Sequence, residues 1–96
     1  MKSAHGVWVD WDDKKSREMV ERHGVSFEEA MEIYKHSFHH APKNDDPEQY
    51  RLIGWVKGRL VTLIVEARED ELVGEYDWFV TLWNSTPSER AIYERG

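Results

Sequence analysis

His36, His39 and His40 sit within one short stretch and are the first groups whose spacing could do chemistry. His36 and His40 are one helical turn apart, a spacing that can place two imidazoles on one cation, and Asp45 or Asp46 could add an oxygen ligand. Pro42 ends a helix before it, which leaves the third ligand on a loop. The cluster therefore reads as a solvated helix end, and no metal or other cofactor is expected. Five tryptophans are the other reactive-looking feature. Trp8, Trp11 and Trp55 suit the core or its margin, which large aromatic rings readily fill. The chain has no cysteine, so thiolate ligands and disulfides are excluded.

Charge narrows the partners. Thirteen Lys and Arg stand against nineteen Asp and Glu, a net charge of −6. The acids run the length of the chain, from Asp10, Asp12 and Asp13 through Glu28, Glu29 and Glu32 to Glu69, Asp70 and Glu71. Such a field repels nucleic acid at long range and attracts a basic protein partner. The first residues carry no signal-like apolar core and no run reaches membrane-spanning length, so the expected setting is the cytoplasm, without membrane contact.

Positioning any site falls to one α+β domain over residues 1–96, with 40% apolar and 33% charged residues. Val7, Val9 and Trp11 alternate with Trp8 and Asp10 as a strand does. Asp12 caps a helix running to about His23, which would bury Met19, Val20 and His23 and end at Gly24. Ser26 and Glu29 form a capping box for a second helix, with Phe27, Ala30, Met31 and Tyr34 on one face. Ser37 to Glu48 reads as a loop. A three-strand antiparallel meander follows: Gln49–Val56, a Lys57-Gly58 turn, Arg59–Glu66 as the doubly covered centre, and Leu72–Trp83. In the last strand, strict alternation puts Trp78 with Val80 and Leu82, and Trp83 with Phe79 on the other side. Thr86, Pro87 and Glu89 open a final helix to Glu94. The order is strand–helix–helix–meander–helix.

Trp11-Asp12-Asp13-Lys14-Lys15, then Arg22-His23-Gly24-Val25-Ser26-Phe27-Glu28-Glu29-Ala30, resembles the N-terminal pattern of the BrnT family, the toxins of BrnT/BrnA type II toxin–antitoxin systems. The likeness continues through Tyr50-Arg51-Leu52-Ile53-Gly54, Gly58-Arg59-Leu60-Val61 and Arg68 to Thr86, Glu89-Arg90 and Tyr93-Glu94. The resemblance implies a RelE-like fold and metal-independent endoribonuclease activity that blocks translation. It also implies a hetero-oligomer with a ribbon-helix-helix, BrnA-like antitoxin. Several basic positions of that pattern are replaced: Trp83 stands for an arginine, Asn84 for a lysine and Trp78 for an earlier arginine, while Met19 takes the place of a helix asparagine.

Cutting RNA without a metal takes a base, an acid and a cation on one surface. The positions matching the family pattern are His23 as acid or base, Arg51 and Arg68 as phosphate clamps, and Arg59 and Arg90 as further substrate contacts. Each has a plainer use: His23 as a helix-end dipole partner, the arginines in surface ion pairs. Trp78 and Trp83 could stack on RNA bases, but the acidic charge favours contact with a partner protein. Two further functions stay open beside the toxin: the same scaffold without nuclease activity as a protein-binding module, or an acidic mimic of nucleic acid.

Overall fold

Each helix starts at a side chain that closes its own first turn. The computed structural model describes Met1–Gly96. Helix α1 spans Asp13–His23, with the Asp12 carboxylate accepting from the Lys14 N–H at 2.9 Å and Gly24 in the left-handed region at φ 74°. Helix α2, Phe27–Ala30, carries the full Ser26–Glu29 capping box. It tightens at once into a 3-10 segment, Met31–Lys35, so the expected second helix is short and changes pitch. Ile33 is fully buried there, while Tyr34 and Met31 pack at the core margin. Helix α3, Pro87–Arg95, has the Thr86–Glu89 box with proline in its first turn.

The sheet has six strands: β1 Lys2–Ala4, β2 Val7–Asp10, β3 His39–Asp45, β4 Glu48–Val56, β5 Arg59–Asp70 and β6 Gly74–Asn84, in the order β1-β2-β6-β5-β4-β3. β2 runs parallel to β6 and every other pair is antiparallel. The β4–β5 hairpin turns on Lys57 and Gly58, both at positive φ, as a two-residue hairpin requires. Residues Leu60 to Val65 of β5 are buried on both faces, as its apolar run requires.

Three expectations need correction. Residues 39–45, read as loop, form β3, an exposed edge strand held by backbone pairing to β4 rather than by apolar side chains. The short β1 doubles the N-terminal strand into a hairpin, so the meander is half of a mixed sheet. Val20 is 48% exposed and Trp8 42% exposed, whereas Trp11 is buried. Val20 and Trp8 lie on the outward sides of α1 and β2, whose buried residues are Ser16 and Met19 in the first and Val9 in the second.

α1, α2 and the 3-10 segment cover one face. Trp11, Phe27, Tyr34 and Phe79 meet there as an aromatic cluster, with ring centroids between 5.4 and 6.2 Å apart for Trp11–Phe79, Phe27–Phe79 and Tyr34–Phe79. The Phe27 N–H donates to the Ser16 hydroxyl at 2.9 Å, locking α2 to α1. Gly54 lets the 3-10 segment approach β4: a Cβ there would sit 2.6 Å from Ile33. α3 packs on the opposite face at one end only. No helix is long and apolar enough to cross a membrane.

Candidate functional site

Strand parity and register decide which candidate residues can meet. On the face that α3 partly covers, the residues form successive rows across β4, β5 and β6. The row beneath α3 is Ile53, Thr62 and Trp83. Next come Arg51 and Ile64, then Gln49, Glu66 and Trp78, and finally Arg68 beside Tyr76. Arg51, Arg68, Trp78 and Trp83 therefore share one face. The expected separation of Trp78 from Trp83 fails because β6 carries one extra residue at Val80, opposite the Ile64–Val65 step, and the bulge resets the alternation.

Each arginine then meets a different environment. Arg51 makes no ion pair, and its Nε is buried without a hydrogen-bond partner. Arg68 is engaged: Nε donates to Glu66 at 2.6 Å, and the guanidinium lies 4.3 Å from the centre of the Trp78 ring. Hydrogen bonds from Gln49 and then Arg68 hold the Glu66 carboxyl below its usual range. Arg51 pairs with Ile64, four residues along β5 from Arg68, so the two Cα positions are separated by about 13 Å along the strand. A phosphodiester chain could span both; one phosphate could not sit close to both backbones.

His23, Arg59 and Arg90 are elsewhere. Arg59 Nη1 donates to the His23 carbonyl at 3.0 Å, and the Asn84 amide donates to the same oxygen at 3.3 Å. This ties the C-terminal end of α1 to the first residue of β5. From Arg59 to Arg68 is nine residues of strand, roughly 30 Å. The structure thus does not bring His23 to Arg51 and Arg68. Arg90 lies 5.6 Å from the Trp55 ring on α3, away from the Arg68 row.

Trp83 is committed inside the fold. Its indole N–H donates to Glu89 at 2.9 Å, and the Thr62 hydroxyl donates to the same carboxylate oxygen at 2.9 Å. Burial pushes the Glu89 carboxyl up, but the Thr86 N–H, the Trp83 indole and the Thr62 hydroxyl outweigh it and hold the group below its ordinary range. The net result is a clamp between α3 and the sheet. Trp78 remains half-buried on the open part of the face, with Arg68 over it.

The histidine cluster is dispersed. His36 follows the 3-10 segment, with Nε2 3.6 Å from Glu32, and His39 and His40 belong to β3. Helical spacing no longer applies, because alternation on β3 sends His39 and His40 to opposite faces. His40 stacks on Tyr50 at 4.7 Å on the helix-covered face. His39 lies on the same face as Arg51, since it pairs with Ile53 while Ala41 pairs with Arg51. Sequence reasoning missed His39 as a neighbour of Arg51 because the segment reads as loop. Its edge pairing leaves no apolar alternation to find.

A mainly acidic hollow of about 420 Å³ lies at the far end of the strands, where Glu48, Tyr50, Glu69, Glu75 and Asp77 gather with Arg68 and His40 on its wall. Tyr34 donates to Asp77 at 2.6 Å, and burial followed by that carboxylate drives the Tyr34 hydroxyl far above its usual range. Tyr50 donates to Glu48, and that hydrogen bond raises the Tyr50 hydroxyl too. Comparison with protein-family models and with curated proteins gives no match to this chain.

Proposed function

We propose that this chain is a toxin of the BrnT kind, cutting RNA without a metal and so blocking translation. On this reading the α+β frame is a RelE-like scaffold, and RNA lies across the open sheet face. The single observation that carries it is Arg51: a cation with no carboxylate partner, on the same sheet face as Arg68 and Trp78. A buried Nε without a partner costs stability, and a guanidinium free of carboxylates suits the non-bridging oxygens of a phosphate. Trp78 offers a ring for base stacking once Arg68 swings to the backbone. Arg59 and Arg90 drop out of substrate binding on this reading, because the first caps α1 and the second packs on Trp55.

The partner would be a basic, ribbon-helix-helix, BrnA-like antitoxin in the cytoplasm, forming a hetero-oligomer. Net charge of −6 and the acidic hollow around Glu48, Glu69, Glu75 and Asp77 support a basic partner. The test is expression: growth arrest relieved by Arg51→Ala, with purified protein cleaving RNA in the presence of a chelator. Intact RNA and normal growth contradict the reading.

A second reading has its own observation. Glu66 neutralises Arg68, and Trp78 and Trp83 replace cations of the family pattern. A scaffold that has lost its cutting ability, kept to bind a protein, would show this. It predicts tight partner binding with no RNA cleavage.

A further inference from the structure

Two buried side-chain polar atoms lack a hydrogen-bond partner: Nε of Arg51 and Nδ1 of His39. Buried polar groups in folded chains are almost always satisfied, so an orphan calls for a reason. These two are not scattered. His39 and Arg51 are diagonal neighbours on β3 and β4, on one face, with Cβ atoms roughly 7 Å apart. The remaining histidines are excluded by position. His5 lies in the β1–β2 turn, His23 ends α1, His36 sits by Glu32, and His40 faces the other way against Tyr50.

His39 also lines a cavity of about 260 Å³ at the C-terminal end of α3, where Tyr93 and Glu94 close the opposite wall. Glu94 is exposed and takes part in no ion pair or side-chain hydrogen bond. Tyr93 and Glu94 of α3 line the opening with His39, Gly96 at the end of the chain lies against its ring, and the Arg51 cation stands beside it on β4. An acid and a base thus line one opening at the edge of the open sheet face, and a cation stands next to the base on the neighbouring strand.

We infer that Glu94, His39 and Arg51 form the cutting site of the RNA-cleaving reading above, on which this assignment rests. The Glu94 carboxylate takes the proton of the 2′-hydroxyl as that oxygen bonds to phosphorus. The bond from phosphorus to the 5′-oxygen breaks, and the His39 imidazolium gives its proton to the departing oxygen. Arg51 holds the non-bridging oxygens throughout. The products are a 2′,3′-cyclic phosphate and a 5′-hydroxyl. Glu94 then returns its proton to water and His39 regains one.

Two measurements on the full chain test the site. Inorganic phosphate is expected to shift the His39 ring resonances and raise their titration midpoint, an effect lost in Arg51→Gln; unmoved resonances overturn the site. Cleavage of a short RNA is expected to give a bell-shaped pH profile. Glu94→Gln removes its acid limb and His39→Gln its alkaline limb, with rates falling about 100-fold. A wild type that cleaves while His39→Gln keeps the same profile overturns this assignment alone. A wild type that leaves RNA intact overturns both the assignment and the toxin reading. Circular dichroism of each variant separates lost chemistry from lost fold.

Discussion

Arg59 Nη1 and the carbonyl of His23 meet at 3.0 Å, joining the start of β5 to the end of α1. A cation is favourable at a helix C-terminus, where the last carbonyls lack partners. The contact therefore gives both residues a structural task at the end of the sheet remote from Arg68.

Arg59→Ala is expected to lower stability by about 1–2 kcal/mol in urea titration while RNA cleavage stays unchanged. A cleavage loss at full stability would return Arg59 to the substrate.

Gly54 sets the spacing between β4 and the 3-10 segment. Gly54→Ala places a Cβ 2.6 Å from Ile33 and 3.1 Å from Phe38. Ile33 is fully buried and has no room to retreat, so the expected cost is about 2–3 kcal/mol. Denaturant melting checks it; an unchanged midpoint would mean that the 3-10 segment yields freely.

How much of this was legible in the sequence depended on whether a signal was local. Asp12, Ser26, Thr86 and the Lys57-Gly58 turn act within their own few residues, and each marks its boundary. β3 had no such mark: Pro42 breaks strand patterns, Lys43, Asn44 and Asp45 are polar, and the strand exists because β4 pairs with it. The shared face of Arg51 and Arg68 was recoverable from parity once the hairpin turn was fixed, since Arg51 falls opposite Ile64 and Arg68 is four residues on. Trp78 and Trp83 were misplaced by a single bulged residue, which no pattern of side-chain types announces.

Acid should loosen the α3 clamp. Glu89 is held below its ordinary value of 4.5 in the folded chain. The unfolded state thus binds its proton first as pH falls. The stabilisation is complete above about pH 4.5 and is lost as pH drops through the lower folded value. Glu29, held down first by Lys57, and Glu66, held down first by Gln49, act with the same sign. Glu89→Ala is expected to cost about 2–3 kcal/mol near neutral pH and to flatten the acid slope, measured by urea unfolding across pH. An unaltered slope would count against the clamp.

Arg68 is already paired with Glu66 and stacked on Trp78. Arg68→Ala should therefore slow RNA cleavage by less than about tenfold, because only part of its charge is free to meet phosphate. Glu66→Gln, which releases the guanidinium, should speed cleavage or tighten RNA binding. Cleavage rates together with binding isotherms at fixed salt check both.

The proposed cutting site centres on Arg51, which makes no ion pair and whose buried Nε has no hydrogen-bond partner. The most direct measurement is the rate at which purified wild-type chain and Arg51→Ala cut a defined RNA with chelator present. Wild type is expected to give cyclic-phosphate fragments, and the variant a rate roughly 100-fold lower at equal fold content. Equal rates, or no cutting by either, would contradict the proposed site.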